Sequence, residues 1–224
     1  MAPPPQNLHT RGFQALIGPE RWNALLSHGN RRTSTTTTRL LDQGAPSRIV
    51  HAIERGRVRV VYTDESGNEV LVAVRGSGDL LGEYAQWDDG EHSASVWPLE
   101  PCTVTTLEAS NFAGFIERER LSDTLQRYIL SKARQVGERV WRAANLPAEQ
   151  RLAQLFLEVV NADPGRPSPT VPMSQRLIAD SLGAGLRSVN LLVSRWKDIG
   201  LIETRPALIT ILDPAALSRR AHIR

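Results

Sequence analysis

Two short helical patterns separated by a glycine-rich turn constrain the fold of this 224-residue chain more than any other feature. They lie between Met173 and Trp196, and the turn between them is Gly183-Ala184-Gly185. The apolar residues of the first pattern that are expected to face inward are Leu177, Ile178 and Leu182. Those of the second follow the i, i+3, i+4, i+7 spacing of a helix with one buried face, and they are Val189, Leu192, Val193 and Trp196. A sharp turn between two packed helices predicts a helix-turn-helix.

The outward side of the second predicted helix carries side chains suited to contact with double-stranded DNA. Its exposed positions hold Arg187, Ser188, Asn190, Leu191, Ser194 and Arg195. Guanidinium, amide and hydroxyl groups can meet base edges and phosphate oxygens in the major groove, and Asp and Glu are absent between Gly185 and Lys197. The residues predicted to contact DNA come from both helices, and they are Ser174, Gln175, Arg176, Leu186, Arg187, Ser188, Asn190, Leu191 and Arg195.

The residues after the second helix predict a small β-hairpin and a positive surface. Gly200–Glu203 and Leu208–Leu212 are β-prone and flank Arg205-Pro206, as in the wing of a winged helix-turn-helix. From Ser174 onward, eight basic residues oppose four acidic ones, although the whole chain has a formal charge of only +3. Any helical hairpin with a solvated basic face would look similar, so the prediction also depends on the wing and on what precedes it.

The first half of the chain has the period of short antiparallel strands. An opening helix is predicted over Pro19–Ser27, and the strand-like runs that follow are Arg48–Ile53, Arg57–Tyr62, Glu69–Val74, Ser93–Trp97 and Cys102–Leu107. Residues 54–56 and 63–68 contain the glycine or asparagine that tight turns need, so both connections are predicted to be hairpins. The spacing of these runs is typical of an antiparallel jelly roll, the double-stranded β-helix.

A long helix is predicted to separate the two halves. Its apolar residues recur at alternating steps of four and three, at Ile129, Ala133, Val136, Val140 and Ala143. This seam either packs on the barrel of its own chain or joins two chains. A further helix is predicted over Ala148–Asn161, and the Pro/Gly-rich residues 163–172 then break the chain. The predicted fold is therefore α+β, with a flexible tail over 1–12, an effector domain over 13–120, a dimerisation helix over 121–145 and a winged helix-turn-helix domain over 146–224.

Composition argues against several other classes of protein. One cysteine, Cys102, cannot form an internal disulfide or ligate an iron–sulfur cluster alone, and no apolar run is long enough to span a membrane. We expect a cytoplasmic protein without a cofactor. The alternative is a cupin-type metal-dependent barrel enzyme with a helical tail, which would need clustered metal ligands. No catalytic or metal-ligating residues are predicted, because no catalytic motif is recognisable and the histidines are scattered, at His9, His28, His51, His92 and His222.

The order of barrel, long helix and winged helix-turn-helix resembles the Crp/Fnr superfamily of transcription regulators from Phe13 to about Leu217. The stretches that carry the resemblance are 41–44 with 56–60, 78–83 with 92–94, and 174–179 with 188–189. The resemblance implies a homodimer that binds an inverted repeat in DNA, and RNA polymerase as a further partner. Where the family's cyclic-AMP-binding members carry base-reading side chains, this chain has Leu186, Arg187 and Leu191, so the implied DNA sequence differs.

The second of these stretches resembles the phosphate-binding cassette of the cyclic-nucleotide-binding members. The resemblance implies an effector pocket formed by Gly82, Glu83, His92, Ser93, Val136 and Gly137. In those members an arginine, here replaced by His92, holds the cyclic phosphate, and hydroxyl side chains, here replaced by Val136 and Gly137, contact the adenine. Cyclic AMP is therefore expected to bind weakly. A small anionic or nucleotide effector, or a barrel with no effector, remains as the alternative.

Overall fold

The computed structural model describes residues 12–46, 48–84, 90–166 and 168–222, so the predicted tail over 1–12 lies outside it except for Gly12. The first helix, α1, covers Phe13–Leu26 and begins six residues before the predicted start. It contains a kink at Gly18, whose φ of 82° and ψ of 163° are not helical, immediately before Pro19. Proline favours the first position of a helix, and the prediction therefore found only the segment after the kink.

Among the described residues, seven antiparallel strands in two sheets form the barrel predicted for the first half of the chain. They are β1 (Asn30–Ser34), β2 (Ile49–Arg55), β3 (Val58–Thr63), β4 (Glu69–Arg75), β5 (Leu80–Leu81), β6 (Ser95–Pro98) and β7 (Cys102–Glu108). One sheet has the order β1-β7-β2-β5 and the other β4-β3-β6. The jelly-roll prediction is consistent with this arrangement.

One of the two predicted hairpins is wrong. Strand β2 pairs with β7 and β5, whereas β3 pairs with β4 and β6, so residues 54–56 cross from one sheet to the other. Gly56 has a φ of 90°, and a Cβ atom there would lie 2.7 Å from the sulfur of Cys102. A tight turn of this kind serves a corner as well as a hairpin, and local sequence does not identify the pairing partner. The second hairpin, between β3 and β4, is confirmed, with Gly67 in its turn at a φ of 82°.

Two helices follow the barrel, α2 (Ala109–Arg118) and the long α3 (Ser122–Asn145). The inner side of α3 is buried at Leu125, Tyr128 and Lys132. The predicted apolar seam is divided, because Ile129 and Val136 are half-buried on their own chain whereas Ala133, Val140 and Ala143 are exposed. The exposed side of α3 also carries Leu130, Gly137, Trp141 and Ala144.

The last part of the chain forms the predicted winged helix-turn-helix. Its elements are α4 (Ala148–Asn161), β8 (Thr170–Val171), α5 (Gln175–Leu182), α6 (Leu186–Asp198), β9 (Ile202–Arg205), β10 (Leu208–Ile211) and α7 (Pro214–Ala221). The wing strands belong to a three-stranded sheet of order β8-β10-β9. Strand β8 forms within the segment predicted only as a break, because Val171 pairs with Ile209 of the wing.

Several buried side chains of the barrel join those of the C-terminal part in one cluster, while the rest of the barrel core forms two further clusters. Val61, Leu71, Val74 and Leu99 belong to the same buried cluster as Leu155, Phe156 and Val159 of α4. Trp196 of α6 is fully buried in this cluster, and its ring lies 5.7 Å edge-on from the ring of Phe156. The position of α6 is therefore set by packing that reaches the barrel through α4.

Candidate functional site

The turn between α5 and α6 fixes the angle at which α6 leaves the core. Gly183 ends α5 in the left-handed conformation, with φ 57° and ψ 39°, which glycine adopts without steric cost. Ile178 on α5 and Val189, Val193 and Trp196 on α6 are buried, as the spacing predicts. Because these side chains face inward, the opposite side of α6 must face solvent.

Every residue predicted for DNA contact on α6 is exposed. These residues are Leu186, Arg187, Ser188, Asn190, Leu191 and Arg195, and Leu191 is 64% exposed. The only carboxylate that the structure's described residues bring within ion-pair distance of this helix's arginines is Glu149, 4.0 Å from Arg195. The exposed face of α6 therefore presents hydrogen-bond donors and the side chains of two leucines, Leu186 and Leu191, a composition suited to contact with the major groove.

The three predicted residues before and within α5 have different environments. The Ser174 hydroxyl accepts a hydrogen bond from the Leu177 amide at 3.1 Å and so caps the helix. Gln175 is half-buried at the first helical position. Arg176 is exposed, and its Nε lies 3.2 Å from the carboxylate of Asp180. Ser174 thus has a structural role that the sequence already explains, while Arg176 is accessible to a phosphate.

A second candidate site lies inside the barrel, in a cavity of about 240 Å³ that we call the barrel cavity. Of the predicted effector residues, Gly82, Glu83, His92, Ser93 and Val136 line it. Gly137 lies outside it on the exposed side of α3, because adjacent helical residues point in directions about 100° apart. The structure therefore brings together five of the six predicted residues.

Gly82 and His92 shape one wall of the barrel cavity. Gly82 has a φ of 79°, and a Cβ atom there would lie 2.8 Å from the carbonyl oxygen of Ile49. Only glycine fits such a close approach. Burial lowers the pKa of His92, against an opposing effect of Asp42. The imidazole is therefore neutral at pH 7 and does not replace the charge of an arginine.

The carboxylate of Glu83 is held by a lysine that the sequence analysis missed. Lys132 Nζ lies 2.5 Å from Glu83 Oε1 and donates to the carbonyl of Leu80 at 3.0 Å. Burial lowers the pKa of Lys132, while the charge of Glu83 opposes this shift. Lys132 lies four residues before Val136, on the same face of the helix, and this spacing is the signal that could have identified it.

Arg75 is the second missed residue of the barrel cavity. It ends β4 two residues after Ala73, which also lines this cavity, and both residues are buried. Strand alternation places residues 73 and 75 on one face, so the sequence contained this signal as well. A charged residue on an apolar strand face needs a stabilising partner.

Known proteins share both parts of this structure. The model of the cyclic nucleotide-binding domain matches residues 31–119, and that of the Crp-like helix-turn-helix domain matches residues 150–220. The cAMP-activated global transcriptional regulator CRP of Escherichia coli O6:H1 is 25% identical over 193 residues, which cover 83% of this chain and 91% of that protein. The cyclic AMP receptor protein of Thermus thermophilus is 23% identical over 206 residues, which cover 92% and 94%.

The fold is also found among solved structures. FixK2 from Bradyrhizobium japonicum matches with a TM-score of 0.74 at 17% identity, covering 88% of this chain and 98% of that one. A c-di-GMP-responsive global regulator, CLP of Xanthomonas campestris, matches with a TM-score of 0.65 at 16% identity, covering 87% and 99%. These likenesses confirm the predicted fold class. The two matched domains, their order along the chain and the curated CRP relatives show that the protein is a DNA-binding transcription regulator of the Crp/Fnr family.

Proposed function

We propose that this regulator acts as a homodimer that binds an inverted repeat, with α6 of each chain in the major groove and α3 as the dimerisation helix. The observation that carries this proposal is that α6 exposes a face rich in hydrogen-bond donors while its opposite face is buried at Val189, Val193 and Trp196. One such helix reads only a short half-site, and a two-fold dimer places two of them about 34–36 Å apart, on successive major grooves.

The unpaired apolar side of α3 supports the dimer. Val140 is 64% exposed and Trp141 58% exposed, and Ala133, Gly137 and Ala144 give that side a flat surface. Exposed apolar side chains in one stripe of a helix are typical of a helix–helix interface.

The proposed domain organisation has an effector domain over 13–120, the dimerisation helix over 121–145 and the DNA-binding domain over 146–224. RNA polymerase remains the further partner that the family implies.

The barrel cavity is proposed to hold a small effector other than cyclic AMP. The two relatives described above whose names include cyclic AMP are only 25% and 23% identical to this chain. In the phosphate-binding cassette, His92 stands where the cyclic-AMP-binding members carry an arginine. Glu83, which the resemblance also places in this pocket, is already paired with Lys132. An enzymatic role for the barrel is not proposed, because Crp/Fnr regulators are non-enzymatic. None of the described helices has the length and apolar content of a membrane span.

In-vitro selection of DNA from a random pool, combined with sedimentation of the free and bound protein, tests the proposal. We expect a selected site with dyad symmetry and two chains per DNA duplex. A monomer both on and off DNA, or a selected site without a dyad, would contradict it. A titration of the selected complex with nucleotides and small anions then separates a regulator with an effector from a barrel that binds none.

A further inference from the structure

Arg75 is a buried cation whose guanidinium is only partly satisfied. The residue is 7% exposed, and its Nη1 donates to Gln135 Oε1 at 2.6 Å and weakly to the Val74 carbonyl at 3.4 Å. Its Nε is buried and has no hydrogen-bond partner. A buried polar atom left in this state costs free energy that a suitable acceptor would recover.

Two other buried cations, Arg57 of β3 and Lys132 of α3, differ from Arg75 because each contacts a carboxylate. Arg57 Nε lies 2.8 Å from Glu100, and Lys132 Nζ lies 2.5 Å from Glu83. Among the residues that the structure describes, no ion pair includes Arg75. The forked donor of an arginine matches a carboxylate or a phosphate, and this one has neither in contact.

Arg75 nevertheless stays charged. Burial acts to lower its pKa, but the carboxylates of Asp79, Glu158 and Glu83 and the phenol of Tyr128 raise the pKa above the usual arginine value. These carboxylates are engaged elsewhere. Asp79 accepts from the Tyr128 hydroxyl at 2.8 Å, and Glu158 accepts from the Val74 amide at 3.0 Å and from Arg139.

We propose that the barrel cavity binds a small oxyanion, a phosphoryl or carboxylate group, through the guanidinium of Arg75 with Ser93 as a second donor. Arg75, Lys132, His92 and Ser93 all line this cavity. The inference rests on the proposed effector role of the barrel and names the ligand class. In this proposal Arg75 of β4 supplies the positive charge that binds the oxyanion. The cassette position occupied by His92 does not supply it.

A second cavity requires a control. Arg75 and Lys132 also border a larger space of about 920 Å³ between α1, the β2–β3 corner and the end of α4. Arg55 lines this larger space and does not line the barrel cavity, whereas Ser93 lines only the barrel cavity. Arg55→Gln and Ser93→Ala therefore distinguish the two spaces.

Calorimetry and thermal unfolding of the full chain with inorganic phosphate and with acetate test the proposal, with sodium chloride at matched ionic strength as the reference. We expect millimolar binding of at least one of the two anions and a matching rise in Tm. Phosphate alone would indicate a phosphoryl ligand, and acetate alone a carboxylate. Arg75→Lys keeps the charge but loses the fork, and it should weaken binding by about tenfold. Ser93→Ala should weaken it less, and Arg55→Gln should leave it unchanged.

Three results would overturn the inference: no binding of either anion, equal binding by Arg75→Lys and the unmodified protein, or loss of binding in Arg55→Gln alone. Circular dichroism checks that each variant is folded. Binding of the selected DNA in chloride alone is measured with the same preparations. If that DNA binding is intact while the anion result is negative, only the ligand class fails and the regulator function stands.

Discussion

Arg57 of the barrel donates a hydrogen bond from Nη1 to the main-chain carbonyl of Val159, at a distance of 3.2 Å. Val159 lies near the end of α4, the helix against which α6 packs. Arg57 is 1% exposed, also binds Glu100 through two nitrogens, and donates to the Thr170 carbonyl. Arg166 binds the same carboxylate at 2.5 Å. A single guanidinium thus joins the barrel to both α4 and β8.

Replacing Arg57 by Ala should destabilise the protein by about 3–5 kcal/mol, because Glu100 would remain buried with only Arg166 as a partner. Urea unfolding measures the change. Arg59→Ala, on the same strand, is the matched control, since Arg59 pairs with the more exposed Glu69 and should cost only about 1 kcal/mol. Similar small losses for both variants would show that the Arg57 contacts contribute little.

Stability should fall as the pH drops through the range in which His51 titrates. Burial lowers the pKa of His51 from 6.5 to about 4, and its ring nitrogens lie 3.0 Å from the Leu40 carbonyl and 3.0 Å from the Thr106 hydroxyl. Between these two pKa values the unfolded chain binds more protons than the folded one, so stability is fully present above 6.5 and is lost toward 4. The complete difference is on the order of 3 kcal/mol.

Urea unfolding at about pH 7 and at about pH 5 gives this dependence. A His51→Gln variant, which has no titrating ring, should show a smaller loss of stability between the two conditions than the unmodified protein. An identical loss in both proteins would assign the pH dependence to other groups.

Arg187→Ala should weaken binding to the selected DNA site by about 1–3 kcal/mol and relax the preference at one base position. Arg187 is exposed in the first turn of α6, opposite the buried Val189 and Val193, where a guanidinium can pair with guanine. Arg176→Ala is the comparison, because an exposed residue on α5 is expected to contact phosphate and to weaken all sequences alike. Equal weakening by Arg187→Ala on selected and random DNA would reduce its role to phosphate contact.

Val140→Glu should convert the proposed dimer into a monomer. The substitution places a charge in the middle of the exposed apolar side of α3, where a partner helix would have to bury it. Analytical ultracentrifugation measures the molecular mass, and Gln126→Glu, an exposed position earlier on the same helix, is the control. A Val140→Glu protein that remains dimeric would place the interface elsewhere.

Cyclic AMP should bind weakly at about pH 8, and His92→Arg should strengthen its binding. The pKa of His92 lies below its usual value of 6.5, so the imidazole is neutral there and holds no anion. Binding by the unmodified protein should improve as the pH falls below the usual histidine pKa of 6.5 and the ring becomes a cation. Micromolar binding at about pH 8, together with a gain in DNA affinity, would contradict this view of the pocket.

The sequence by itself determined the elements whose geometry depends on local periodicity. Helix α4 has the predicted limits, α3 differs by one residue at its start, and the turn at Gly183 separates two helices whose buried faces follow the predicted spacing. A helix buries one face because its period is fixed at 3.6 residues, so the exposed DNA-contacting residues of α6 followed directly from its apolar ones.

Only the tertiary structure decided which distant residues meet. Local turn chemistry at Gly56 did not reveal that β2 pairs with β7 and not with β3. Glu83 was predicted only as a residue of the effector pocket, yet Lys132, 49 residues away, pairs with its carboxylate, and Arg75 of β4 lines the same cavity. Strand pairing and buried charge depend on contacts that close long loops, and neither the period nor the composition of a short segment encodes their partners.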